Sequence, residues 1–167
     1  FGEEIIGPKV IELKIYRDDR GFFFESWNQD QLNKILNQNI NFVQDNHSYS
    51  KKGVLRGLHY QTEPNSQDKL VRCTKGEIFD VIVDLRAKSK TFGQWTSIKL
   101  NKANNLLWVP RGFAHGFLTL SSIAEVCYKV SNYWDAKTEK TIKWDDPDLS
   151  IDWPGRSSSF FLSEKDK

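Results

Sequence analysis

The sequence predicts an all-β fold, a sandwich, jelly roll or closed barrel formed by one domain over residues 1–167. Three observations carry this. Apolar and polar residues alternate with period two along most of the chain, in short runs bounded by Gly, Pro, Asn and Ser. Helical spacing is confined to one or two short segments. Aromatic residues, which favour strands, make up 13% of the chain, with six Trp and eleven Phe.

The elements follow in order. Ile11, Leu13 and Ile15 alternate with Glu12 and Lys14, the pattern of a half-buried strand, and GFFFESW is a second strand candidate. A helix is predicted from Asn28 to Asn37, with Asn28 as N-cap and Leu32, Ile35 and Leu36 at i, i+3 and i+4. Strands then resume in NFVQDNHSYS, VLRGLHYQ, KLVRCT, EIFDVIVDLR, QWTSIKL, NLLWVP, GFLTL and AEVCYKVSNYW. Thr74 to Glu77 reads as a tight hairpin turn. Phe79, Val81, Val83 and Leu85 share one strand face, opposite Asp80, Ile82 and Asp84. After Trp134 the chain is loop-rich, with Trp144, Ile151 and Trp153 placed to anchor it on the barrel. No internal repeat or low-complexity segment interrupts the domain.

Composition excludes several function classes. A net charge of +2, with no long Lys/Arg run, argues against nucleic acid as partner. No apolar run approaches the roughly 20 residues that span a bilayer, so no membrane partner is expected. Cys73 and Cys127 lie far apart and form no C-x-x-C, which points to a reducing compartment rather than a disulfide framework. With no signal peptide visible at Phe1, the expected location is cytoplasmic.

VLRGLHYQ poses the functional question, because a dry strand core has no use for Arg56 and His59. Other strands also carry polar groups of the kind that converge on a small ligand: Gln44, Asn46 and His47; Lys69 and Arg72; Arg111 and His115; Tyr128, Tyr133 and Trp134. Taken singly, a strand histidine is ordinarily a hydrogen-bonded structural residue, and a strand arginine ordinarily faces solvent. Together they weigh more, since all three histidines fall in strand-like segments and Gly57 and Gly116 flank two of them. Metal binding is disfavoured because His59-Tyr60-Gln61 lacks the second histidine of a His-x-His pair. Nucleophilic catalysis is disfavoured because no Gly-x-Ser-x-Gly is present and neither cysteine has a neighbouring histidine. Acid–base chemistry remains: a histidine to take a proton, a tyrosine to return one, and a lysine to stabilise an oxyanion, here His59, Tyr128 and Lys69.

The segments DDRGFFFESWN, FVQDNHS, GVLRGLHYQ, KLVRCTKGEIFDVIVDLR, KTFGQW, LWVPRGFAHGFLTLS, AEVCYKVSNYW, WDDPDLSIDWP and LSEKD follow one another as in the dTDP-4-dehydrorhamnose 3,5-epimerases, and the resemblance covers residues 9 to 166. It implies a jelly-roll (cupin-type) homodimer with no metal and no organic cofactor. The implied reaction inverts C3 and C5 of dTDP-4-dehydro-6-deoxy-D-glucose through an enolate, on the way to dTDP-L-rhamnose. The resemblance makes His59 the base, Asp166 its orienting carboxylate, Tyr128 the proton donor, and Lys69 and His115 neighbours of the sugar. It makes Arg20, Phe23, Glu25, Gln44, Asn46, Arg56, Glu139 and Lys165 further substrate-binding positions, and Trp134 a stacking surface for thymine.

Two features depart from the family pattern. Many relatives read Tyr-Tyr where this chain has Tyr133-Trp134, and many continue beyond the position of Lys167. Asp166 is therefore expected on a short, mobile tail. The alternatives are a 5-epimerase or 3,4-ketoisomerase acting on a dTDP-4-keto sugar, or a non-catalytic sugar-nucleotide-binding cupin. GLHYQ favours the epimerase over the ketoisomerase, and the set His59, Lys69, Tyr128 and Asp166 argues against a mere binder.

Overall fold

A computed structural model describes residues 4–167. Period-two segments become strands, and the sheets take their order from how those strands cross over. One five-stranded antiparallel sheet runs β1 (Lys9–Glu12), β9 (Asn105–Val109), β6 (Lys69–Lys75), β11 (Ile123–Val130), β4 (Gln44–Lys51). The facing sheet runs β12 (Glu139–Thr141), β5 (Leu55–Gln61), β10 (Phe113–Thr119), β7 (Ile78–Asp84), β8 (Trp95–Leu100). Two such sheets face to face form the expected all-β jelly roll. A small hairpin, β2 (Tyr16–Asp18) with β3 (Gly21–Phe23), stands apart from both.

Apolar residues sort into three layers. Val71, Ile78, Ile82, Leu107, Phe113, Phe117 and Val126 fill the space between the sheets. Helix α1 (Gln29–Leu36) packs Leu32 and Leu36 on the outer face of the first sheet, against Ile11, Leu70, Leu106 and Trp108. Asn28 caps α1 by accepting from the Gln31 backbone N–H at 3.0 Å, and Asn37 ends it in the left-handed region with φ 51°. Ile35 belongs to the predicted apolar stripe, yet it is 49% exposed. With two residues already filling the contact, the 3.6-residue period carries the third past its edge.

The C-terminal segment covers the outer face of the second sheet. Ile142, Trp144, Leu149, Ile151, Trp153, Phe160 and Leu162 pack on Leu55, Leu58, Val81, Val83, Ala114 and Leu118. β7 is therefore apolar on both faces: Val81 and Val83 meet the tail, and Ile82 meets the inner core. Thr74 to Glu77 is a tight turn, with Gly76 at φ 82°, but it does not close a hairpin. β6 and β7 belong to different sheets, so the turn is a corner between layers.

Gly57 and Gly116 are where β5 and β10 touch most closely. A Cβ on Gly57 would lie 2.6 Å from the Gly116 Cα, and one on Gly116 would lie 2.6 Å from the Arg56 backbone oxygen. The register shifts here, pairing His115 with His59 and then Phe117 with Arg56. The glycines make room for a neighbouring strand, and the shifted register sets His59 beside His115.

Candidate active site

A cavity of about 500 Å³ opens between the two sheets. The first sheet lines it with Gln44, Asn46, Lys69 and Tyr128, and the second with Arg56, His59, His115 and Glu139. Trp134 follows β11, and Lys165 and Asp166 arrive from the end of the tail. Eleven sequence-selected residues thus meet in one cavity.

His59 and Asp166 are 107 residues apart in sequence, and Nε2 meets Oδ1 at 2.5 Å. The Asp166 side chain is only 4% exposed. It is held by a bond to its Oδ2 from the Ser163 hydroxyl, 2.8 Å, at the head of the short 3-10 turn Glu164–Asp166. That turn is anchored in turn, because Phe161 bridges to Val54 and exchanges backbone bonds with Gly53 and Leu55 at 2.8 and 3.0 Å. The expected mobile tail is instead pinned along the sheet, since its aromatic residues bury apolar area there. Burial pulls the His59 imidazole below its ordinary pKa, and the Asp166 carboxylate opposes that shift.

Lys69 is buried, its Nζ donating to the His59 backbone oxygen at 3.2 Å. Burial pushes its pKa down to about 8, against the pull of Glu139 and Asp80. Tyr128 is shifted the other way: burial raises its hydroxyl, partly offset by Arg56, so it holds its proton at neutral pH. Arg56 is steadied by bonds to the Ser50 hydroxyl at 3.0 Å and the Tyr49 carbonyl at 3.3 Å. At the mouth, Lys165 pairs with Glu139 at 2.9 Å. Burial raises the Glu139 carboxyl, but its bonds to Lys165 and Trp134 outweigh this and hold it below its usual range.

Trp134 stands at the rim, 57% exposed, with its backbone N–H bonded to Gln44 Oε1 at 3.0 Å. Gln61 fixes the same loop, accepting from the Asp135 N–H at 2.7 Å and donating to the Tyr133 carbonyl at 3.2 Å. An exposed indole face beside a polar cavity suits the stacking of a flat ring.

Three expected binding residues lie outside this chain's cavity. Arg20 sits on the β2–β3 hairpin and pairs with Asp18 at 2.6 Å, Phe23 is 69% exposed there, and Glu25 accepts from Asn28 and Gln31 at 3.0 and 3.1 Å. Four early polar candidates are placed elsewhere. His47 meets Glu125 on the outer face at 3.2 Å, Arg72 lies over the Phe24 ring, Arg111 binds Asp68 at 2.8 Å, and Tyr133 is 69% exposed. Sequence reasoning passed over Ser163, Ser50 and Asp80. Of these only Asp80 carried a signal, as a carboxylate in the otherwise apolar run FDVIV. Among the described residues, no group of three or more His, Cys, Asp or Glu could hold a metal ion, and no helix is long and apolar enough to cross a membrane.

The family model described as dTDP-4-dehydrorhamnose 3,5-epimerase matches residues 3–167. The Salmonella typhimurium dTDP-4-dehydrorhamnose 3,5-epimerase is 53% identical over 146 residues, 87% of this chain and 80% of the relative. The Escherichia coli enzyme is 50% identical over 165 residues, 98% and 89% of the two chains. A Legionella pneumophila dTDP-6-deoxy-D-glucose-3,5-epimerase, solved with dTDP-4-keto-L-rhamnose, superposes with a TM-score of 0.93 at 47% identity, covering 99% of this chain and 87% of that one. With its jelly roll, its cavity and these matches along nearly its whole length, the chain belongs to the dTDP-4-dehydrorhamnose 3,5-epimerase family.

Proposed function

We propose that this protein inverts C3 and C5 of dTDP-4-dehydro-6-deoxy-D-glucose, giving dTDP-4-dehydro-L-rhamnose, as a step of dTDP-L-rhamnose biosynthesis in the cytoplasm. The observation that carries the reading is the placement of base and acid. His59 stands on β5 of one sheet and Tyr128 on β11 of the other, and both line the same cavity. Inversion needs a proton removed from one face of a ring carbon and returned to the other, and opposed walls supply that.

The chemistry runs as follows. With Nε2–H donating to Asp166, His59 carries its lone pair on Nδ1 and takes the proton from the carbon next to the C4 ketone. The C–H electron pair becomes the carbon–carbon double bond of an enolate, and the C4 oxygen gains the charge. Lys69 and His115 are the cavity residues suited to stabilise that oxygen. Tyr128 gives its proton to the opposite face of the carbon, and exchange with solvent resets both groups. The same cycle at the second carbon completes the double inversion. No step needs a metal or an organic cofactor. Arg56 and Lys165 suit the diphosphate, Gln44 and Asn46 the polar edges of the substrate, and Trp134 the thymine face.

Arg20, Phe23 and Glu25 fit the same reading if a second copy of the chain brings its β2–β3 hairpin to this cavity. β1 is an edge strand of its sheet, open to pairing with another chain, so the protein is proposed to act as a homodimer. Light scattering at micromolar concentration reports the dimer.

Turnover in deuterium oxide tests the reaction. Label at both C3 and C5 with inversion supports it. Label at one carbon identifies a mono-epimerase, and no label identifies a binding protein.

A further inference from the structure

A second histidine–carboxylate pair lies behind the cavity wall, and the scheme above leaves its carboxylate without a role. His115 Nε2 meets Asp80 Oδ2 at 2.9 Å. Asp80 is 0% exposed, and its other oxygen, Oδ1, is buried with no hydrogen-bond partner. Its neighbours Phe79, Val81, Ile82 and Val83 are apolar. A buried carboxylate with a spare oxygen costs stability, and apolar side chains in place of the whole Asp80–His115 pair would be neutral or better. Stability therefore gives no reason for the pair as such.

The reason lies in what the pair leaves free. Asp80 occupies Nε2 of His115, so any polar contact between this ring and a sugar goes through Nδ1. His115 pairs directly with His59 across β5 and β10, which sets two histidines, each backed by a carboxylate, side by side on one wall. Their backing differs in origin: Asp166 comes from the tail and Asp80 from the adjacent strand β7. Asp80 and Glu139 are also the carboxylates whose fields favour the charged form of Lys69.

We propose that Asp80 is a positioning residue for the epimerase reaction: it fixes the orientation of His115 and supports its doubly protonated ring, so that Nε2–H donates to Asp80 and Nδ1–H donates to the oxygen of the sugar enolate. This rests on the function proposed above.

Asp80→Asn keeps the size of the side chain and removes its charge. Loss of an outer partner of this kind lowers activity by about 10- to 100-fold, with the fall in kcat and with KM and dTDP affinity held within about twofold. Because Asp80 acts through His115, the double variant Asp80→Asn/His115→Ala is no slower than His115→Ala alone. The nitrogen-15 resonances of the His115 ring shift in Asp80→Asn without any substrate present. That readout stands even if the parent protein fails to turn over the sugar, an outcome that overturns the proposed reaction and not the positioning. Asp80→Ser, smaller and uncharged, is measured alongside and follows the same pattern. Parent-like kcat in both variants, losses that add to that of His115→Ala, unmoved ring resonances, or lost dTDP binding in both variants would each make Asp80 a residue of the core and overturn the inference.

Discussion

Asp166→Asn tests the link between the tail and the chemistry. In the parent, His59 Nε2 meets Asp166 Oδ1 at 2.5 Å, and the carboxylate is only 4% exposed, so water has little access to replace it. A hydrogen bond between charged partners is worth about 1.5–3 kcal/mol, and this one reaches full strength only as His59 acquires the proton. The loss converts to a fall in kcat of about 10- to 150-fold. The pH dependence supplies an independent sign. The base must be neutral to act, so the acid limb of kcat/KM follows the His59 pKa. Burial pulls that pKa down, Asp166 pulls it up, and Lys165 and Lys69 pull it down. Without Asp166 only the lowering influences remain, so the limb moves to lower pH while the plateau falls. Initial rates of C–H exchange, followed by proton NMR in deuterated buffers from about pH 5 to 9, measure both. A limb displaced to higher pH, or a plateau at the parent height, would refute the dyad.

Other outcomes are equally specific. Activity of the parent should decline above about pH 8 as Lys69 loses its proton, since an uncharged amine stabilises an enolate poorly; a flat profile through that region would remove Lys69 from the oxyanion site. Trp134→Ala should weaken dTDP binding by about 5- to 150-fold, from roughly 1–3 kcal/mol of stacking, and Trp134→Tyr should be nearly neutral by calorimetry. Gly116→Ala should cost about 1–3 kcal/mol and most of the activity, because its Cβ would meet the Arg56 oxygen at 2.6 Å and part the two histidine strands; parent-like melting and turnover would count against the close approach. Burial alone would raise the Asp84 carboxyl, but bonds from Arg86, Ser89 and Thr91 hold it well below the usual range. That stabilisation is present above the unfolded value of about 3.9 and is lost as pH falls toward the folded one. Asp84→Ala should therefore lower Tm at neutral pH by roughly 6–20 °C, from about 3–5 kcal/mol, with a smaller difference in acid.

Much of the architecture was legible because strand alternation and helix capping are local. Asn28 and Asn37 bound α1 on either side of Leu32 and Leu36, as their side-chain chemistry dictates. The strands from β4 to β11 fall on the segments that marked them, with β4, β6 and β11 each running one residue past the segment and β10 extending back to Phe113. Local pattern fails where a decision involves a second element. TKGE contains a turn in any fold, but whether that turn joins strands of one sheet or two depends on which neighbours β6 and β7 find, namely β9 and β11 for one, β8 and β10 for the other.

The candidate site divides the same way. Residue types suited to acid–base work, and a family resemblance over nearly the whole chain, pointed to His59, Lys69, Tyr128 and Asp166 before any coordinates. Sequence by itself determined the all-β class, through short-range periodicity, and nominated His59, Lys69 and Tyr128 from side-chain chemistry and Asp166 from the resemblance alone. Only the tertiary structure decided that His59 and Tyr128 occupy opposite walls, that Arg20, Phe23 and Glu25 stand away from this chain's cavity, and that Asp80 backs His115 from an adjacent strand. The physical reason is range. A carboxylate reaches an imidazole only within hydrogen-bond distance, and the 107 residues between His59 and Asp166 are brought to 2.5 Å by a tail whose aromatic side chains bury themselves on the outer face of the second sheet.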